Sequence, residues 1–367
     1  MYSLFEKICI IFFCFISTIL AKYSCLDENG NAVDGWTSIK QESSWDYYVY
    51  GSSKFTKSKY NVNQVEDGMI MRTLQQLYKD ADTSEVAYAM YNDEYPPNDV
   101  HASSSYAHAK GVIMTDGTQG FFIVHSMPNW PTIVTKGLNP FPNDDYAQSL
   151  QCITLTPETA NTIAEGLKIS RPYIYDASAG SKDLQAMMPD FTTWVQGDYG
   201  NADTAWNKDI KSVAGHTYTL FEKGKNWGKD LWDDLVGPHY KSAMYVETWR
   251  SGSGGRIGSI CANETIPKSD SYDVWEVANI IMPDGETWTG TKDHSKWGAG
   301  KGSDFYCVGD LNRMCSQETR GGGALCRKDS YINTAFNSIV KDVESCWSYD
   351  PCTGTYDSCY WCAAPKK

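Results

Sequence analysis

The stretch His108-Ala-Lys-Gly-Val112 and its echo Asp293-His-Ser-Lys-Trp297 place one His-x-Lys triplet in each half of the chain. In the first half Asn129 follows the histidine by 21 residues; in the second, Asn312 follows by 18. Alternate side chains of an extended strand share a face, so each histidine is expected beside its lysine. That pairing suits phosphate chemistry. A neutral imidazole attacks phosphorus and a protonated one gives its proton to the leaving oxygen. Lysine and asparagine hold the non-bridging oxygens as charge builds. One triplet alone reads better as a solvated strand edge. Two copies, each with a trailing asparagine, in a chain of six histidines predict two half-sites facing each other across a pseudo-twofold axis.

The surroundings read as alternating strands and helices. Trp45 to Tyr50 and Val86 to Tyr91 are short and aromatic-rich, as strands are, and Met69, Met71, Leu74 and Leu77 mark a helix between them. Lys110 to Thr115 and Phe121 to His125 flank the turn Asp116–Gly120 as a hairpin. Thr156-Pro157-Glu158 opens a helix with a threonine cap and a first-turn proline. Ala243 to Trp249 and Val274 to Met282 are further strands, and the polar, glycine-rich stretch 197–203 is read as a boundary. The expected organisation is 22–198 and 199–349 as two halves, preceded by a signal peptide over 1–21 and followed by a Cys-rich tail over 350–367.

Composition narrows the setting. The 367 residues carry 32 Lys+Arg against 45 Asp+Glu, a net charge of −13, with 41% hydrophobic residues to supply a core. Such an acidic balance excludes broad, non-specific adhesion to nucleic acid while leaving room for a local basic site. Ile8 to Leu20 is an apolar run too short to span a bilayer, and it ends at Ala21, which reads as a cleaved signal peptide leaving no membrane anchor. Of twelve cysteines, Cys9 and Cys14 leave with it, and the ten that remain predict a disulfide framework. Cys359-Tyr-Trp-Cys362 lies at the terminus without nearby histidines, so structural disulfides are a better reading than a zinc or redox site. Asn263-Glu264-Thr265 is a glycosylation sequon at Asn263.

The two His-x-Lys blocks, with Gly120-Phe-Phe-Ile-Val-His-Ser-Met-Pro-Asn129, Cys307-Val-Gly-Asp-Leu-Asn-Arg313, Glu318-Thr-Arg-Gly-Gly-Gly-Ala-Leu-Cys326 and Asn92-Asp93, resemble those of the deoxyribonuclease II family. The resemblance runs from about Cys25 to Cys346. It implies a pseudodimeric α/β (α+β) fold of the phospholipase D type, two sheet-and-helix sandwich halves in one chain. It further implies a lysosomal or secreted acid endonuclease that cuts DNA to 3′-phosphate ends without metal or other cofactor, often as a homodimer of chains.

Carried over, the catalytic pairs fall on His108, Lys110, His294 and Lys296, with Asn129 and Asn312 as supporting phosphate ligands. His125 matches a family histidine, and strand parity leaves open whether it lines the site or packs behind it. In the wider superfamily an Asp follows the lysine after four intervening residues; here Thr115 and Lys301 stand there, so no acidic partner is placed. The family's disulfides map onto Cys25–Cys152, Cys261–Cys346 and Cys307–Cys326, leaving Cys315, Cys352, Cys359 and Cys362 unassigned. The implied chemistry is attack by His108 to form a phosphohistidine while His294 protonates the departing 5′-oxygen; pseudo-symmetry also permits the reverse assignment. Asp93, Glu94 and Asp99 surround Pro96-Pro97 and read as a surface loop. The turn Arg320–Gly323 either offers backbone amides to a phosphate or serves only as a turn. Near the sequence pI of about 4.9 the histidines are expected to be charged and DNA to bind better than at neutral pH. Rival readings are a phosphodiesterase acting on RNA or lipid, and a secreted, non-catalytic DNA-binding or host-interaction protein.

Overall fold

The computed structural model describes residues 23–96, 100–143, 145–251, 255–261 and 272–347. The signal peptide, Asn263 and the tail cysteines Cys352, Cys359 and Cys362 lie outside the described residues. Two large sheets organise the chain. The first runs Ile174–Ser178, Ala87–Asn92, Lys110–Thr115, Gly120–His125, Gln148–Leu155, Gly35–Lys40, Asp46–Tyr50, Phe55–Asn61, every neighbour antiparallel. The second runs Ala205–Lys211, Thr217–Lys223, Gly322–Lys328, Phe305–Gly309, Trp297–Gly300, Met244–Glu247, Val274–Ile281, Ser259–Ile260, Cys346–Trp347.

The sheets repeat one plan. Ala87–Asn92, Lys110–Thr115, Gly120–His125 and Gln148–Leu155 correspond in chain and spatial order to Met244–Glu247, Trp297–Gly300, Phe305–Gly309 and Gly322–Lys328. Each run is extended by a strand that ends in a fully buried lysine, Lys40 or Lys223. The repeat breaks at its flank: Ile174–Ser178 pairs antiparallel, whereas Val274–Ile281 lies parallel to Met244–Glu247.

One core cluster joins the halves, uniting Ile113, Phe122 and Ile153 of the first sheet with Trp297, Tyr306 and Leu325 of the second and with helix Pro157–Ser170. The outer face of the first sheet is covered by helix Gly68–Asp80, which buries Met69, Ile70, Met71, Leu74 and Leu77. Each such side chain contributes about 1.5–3 kcal/mol relative to exposure. Gly68 starts that helix at φ +76°, where a Cβ would collide with the Tyr47 hydroxyl. Trp232 and Val236 cover the second sheet in the same way. The Lys110–Thr115/Gly120–His125 hairpin forms, and the Thr156 hydroxyl accepts from the Thr159 amide (3.3 Å) to cap its helix.

The disulfides Cys25–Cys152, Cys261–Cys346 and Cys307–Cys326 are formed, with Cα separations of 6.0, 5.6 and 4.0 Å, and Cys315 is disulfide-bonded as well. Among the described residues no helix is long and apolar enough to cross a membrane.

Candidate active site

Both His-x-Lys segments sit at the entrance to a strand, which corrects their placement within one. Lys110 is the first residue of its strand, with His108 at a bend before it, and His294 to Lys296 precede Trp297–Gly300. Each segment docks on the other half. The His108 amide donates to the Gly321 carbonyl (2.9 Å), just ahead of Gly322–Lys328, and the His294 amide donates to Ala147 (2.9 Å), just ahead of Gln148–Leu155. Those two strands are counterparts, so the contacts obey the same pseudo-twofold relation. The Lys296 amide adds a bond to the Ser149 hydroxyl (3.0 Å). Gly321 is required here, because a Cβ would collide with the Ser170 carbonyl.

The result is one cavity of about 480 Å³ whose lining includes His108, Lys110, His294, Lys296 and Asn312, together with Trp249 and Arg320. Its size lies in the range of small-ligand sites. His108 Nδ1, His294 Nε2 and Asn312 Oδ1 are buried there without a hydrogen-bond partner among the described residues. Such groups are costly unless a ligand or water completes them.

Asp93 anchors the first half-site. One carboxylate oxygen takes the Lys110 ammonium and the other the Arg320 guanidinium (2.8 Å), with His108 Nε2 3.9 Å away. Burial pushes this carboxyl up, but Lys110, His108 and Arg320 overcome it and hold Asp93 well below the ordinary carboxylate range. His108 is held well below 6.5, chiefly by burial; Asp93 opposes, while Lys110, Lys296 and Arg320 add to the depression.

His294 has an aromatic setting instead, stacked on Tyr146 (centroids 4.2 Å apart) with Trp249 edge-on at 3.8 Å. Burial, followed by Lys296, Lys110 and Lys40, holds it far below its ordinary value. Burial and Lys110 likewise bring Lys296 down to about 7. Burial and the surrounding cations thus favour the neutral form of both histidines, against the expectation that they charge readily near pH 5. Exposure, invisible in composition, decides this sign.

The two buried lysines hold the bracing loops. Lys40 Nζ donates to the Tyr146 carbonyl (2.8 Å), and Lys223 Nζ donates to the carbonyls of Gln317, Glu318 and Arg320 (3.2, 2.9 and 2.7 Å). Thus one fixes the ring under His294 and the other the guanidinium beside Asp93.

Three supporting residues separate here. Asn312 lines the cavity, whereas Asn129 does not: it has φ +54° and donates its amide to the Glu94 carbonyl (2.6 Å). His125 is 1% exposed, edge-on to Trp130 at 5.2 Å and outside the cavity lining.

Compared with known proteins, residues 24–346 match the family model described as Deoxyribonuclease II. The chain belongs to the deoxyribonuclease II family. It is similar to Plancitoxin-1 of Acanthaster planci, 31% identical over 347 residues covering 90% of this chain and 92% of the relative. It is 30% identical to Deoxyribonuclease-2 of Caenorhabditis elegans, over 89% of this chain and 94% of that one. The identity to Deoxyribonuclease-2-alpha of Rattus norvegicus is also 30%, over 88% and 94%.

In this deoxyribonuclease II chain, sequence reasoning missed Asp93, Arg320, Tyr146 and Trp249 as site residues. Asp93 is 4% exposed and ion-paired, not part of a surface loop. The Asn92-Asp93 dipeptide was the available signal for it; the others approach the histidines only through the fold. The Arg320–Gly323 segment is not a free amide nest, since Gly323 N–H donates to Asp310 Oδ2 (3.1 Å) and Gly322 already belongs to a strand. Ligand atoms of Asp93, Glu94 and His108 lie within 4.8 Å of one another, a grouping that can hold a metal ion. A cation there would compete with Lys110 and Arg320, which already neutralise Asp93.

Proposed function

We propose that this deoxyribonuclease II-family chain hydrolyses DNA phosphodiester bonds at the cavity shared by its halves, in acid, without metal, leaving 3′-phosphate ends. The observation that carries the reading is the convergence of both His-x-Lys sets and Asn312 on one cavity, with imidazole nitrogens left unpartnered. Neutral His108 suits nucleophilic attack on phosphorus, forming a phosphohistidine as the P–O5′ bond breaks. His294 suits the proton transfer to that 5′-oxygen; it then takes a proton from the water that displaces the histidine and leaves a 3′-phosphate. Lys110, Lys296 and Asn312 suit the non-bridging oxygens, a role in which fixed donors stabilise charge as it develops.

Acid operation has two supports. The diester's negative charge raises the pKa of a neighbouring imidazole, so a histidine whose pKa burial and nearby cations lower gains proton affinity as the diester binds. Binding that takes up a proton strengthens as pH falls from the complex's pKa toward that of the free site. Second, burial raises the pKa of Glu222, Asp230, Asp234, Glu247, Glu276, Asp293 and Asp310, Asp310 to about 7. A carboxyl raised in the folded state costs stability as pH rises through its folded value, so these groups favour an acidic setting. The disulfides suit an oxidising route to a lysosomal or secreted destination.

The test is hydrolysis of plasmid DNA, RNA and phosphatidylcholine at pH 5 in EDTA, with end-group analysis of the DNA products. DNA cleavage to 3′-phosphate ends is expected. Equal or faster cleavage of RNA or lipid overturns the substrate assignment, and loss of activity in EDTA favours the Asp93–Glu94–His108 metal reading. No cleavage of any substrate favours the non-catalytic one.

A further inference from the structure

Each histidine is flanked by a cation lying on aromatic rings, and neither cation has a carboxylate partner among the described residues. On the His108 side the residue is Arg171, left-handed at φ +63°, whose guanidinium lies 5.2 Å from the Tyr106 ring centroid and 4.7 Å from that of Tyr199. Its Nε is buried with no hydrogen-bond acceptor. The Arg171 carbonyl accepts the Ala107 amide (2.9 Å), tying it to the residue before His108, and Arg320 Nε holds the Tyr106 carbonyl (3.2 Å). Tyr173 packs edge-on against Tyr106 (5.1 Å) and stacks with Tyr95 (4.7 Å), next to the cavity-lining Glu94. On the His294 side the cation is Lys292, exposed and 5.6 Å from the Tyr146 ring that stacks on His294. Trp249 packs against both Tyr146 and His294.

Two residue steps separate Tyr106 from His108 and Lys292 from His294, a span of at most about 7 Å. That is the scale of one nucleotide step along a strand. Aromatic faces accept any base by stacking, and unpaired cations beside them take the backbone, which is how sequence-tolerant single-strand sites are built. In a chain with net charge −13, cations near both histidines that have no carboxylate partner among the described residues suit an anionic polymer.

We propose that Arg171 and Lys292 are flanking-phosphate subsites on opposite sides of the scissile phosphate. The rings of Tyr106, Tyr173 and Tyr199 accompany one neighbouring nucleoside, and those of Tyr146 and Trp249 the other. This rests on the DNA-hydrolysing reading and extends it to a substrate strand occupying at least three consecutive phosphates.

The test uses the full chain and a single-stranded DNA 12-mer at pH 5, comparing wild type with Arg171→Asn, which tolerates the left-handed backbone, Arg171→Lys, and Lys292→Ala at the exposed position. Each charge-removing variant should raise KM about tenfold, leave kcat within about threefold, and flatten the salt dependence of binding by about one phosphate contact. Arg171→Lys should restore the salt slope. Wild-type KM and salt slope in both charge-removing variants overturn the proposal. A fall in kcat with an unchanged salt slope does so too, because it marks a merely structural role. If wild type nicks plasmid DNA but leaves the 12-mer uncut, the subsite proposal is overturned; if it cleaves neither, the DNA-hydrolysing reading fails instead.

Discussion

Replacing Asp93 by asparagine removes the one carboxylate that Lys110 and Arg320 share inside the site. Breaking a buried ion pair by deleting one partner costs about 3–5 kcal/mol, because the remaining charge stays buried. Unfolding entropy near 2.1 cal/mol/K per residue, over the roughly 320 residues of the family match, makes that a fall in Tm of about 6 °C. The sign with pH is specific. Because the folded pKa of Asp93 lies well below its ordinary value, its contribution is present above about pH 4 and lost only as pH falls through that depressed value. Asp93→Asn should therefore lower Tm by the same amount at pH 5.0 and pH 7.5 in scanning fluorimetry. Nicking should also fall by at least about tenfold, since Lys110 loses its anchor. An unchanged Tm, or a fall confined to one of the two pH values, would refute the reasoning.

Asp310→Asn should behave oppositely. A carboxyl held near 7 costs about 4 kcal/mol once ionised, so this variant should melt higher at pH 7.5 and nearly unchanged at pH 4.5, as checked by the same melts. Lys296→Arg should move the alkaline loss of DNA affinity upward from about pH 7, measured by fluorescence anisotropy, because arginine keeps its charge where the buried lysine loses it. Lys223→Met should free the carbonyls of Gln317, Glu318 and Arg320 and lower kcat about tenfold in plasmid nicking, with partial recovery in Lys223→Arg.

What sequence makes legible here is local. His108 and Lys110 declare themselves because both lie within three residues, and Asp46–Tyr50 or Lys110–Thr115 because β-branched and aromatic residues fill a pleated surface. Strand Gly322–Lys328 escaped such reading since its opening glycines signal a turn; the structure needs them because Cβ atoms there would strike Leu311 and the Phe221 carbonyl. Asp93 was obscured by the prolines that follow it, and Arg320 reaches it from 227 positions away in the chain. The near-symmetry of Asn129 and Asn312 in sequence is not kept in the fold: Asn312 lines the cavity, whereas Asn129 does not. Protonation was least legible, since burial and the convergence of Lys110, Lys296 and Arg320 on His108 exist only in the folded chain.

The most direct measurement is the initial rate of supercoiled-plasmid nicking at pH 5 in EDTA for wild type, His108→Ala and His294→Ala. If the two half-sites form one active site, each variant loses at least about a thousandfold, and the double variant is little worse than either, because residues acting as a unit are not additive. A near-wild-type rate in either single variant would contradict the shared site.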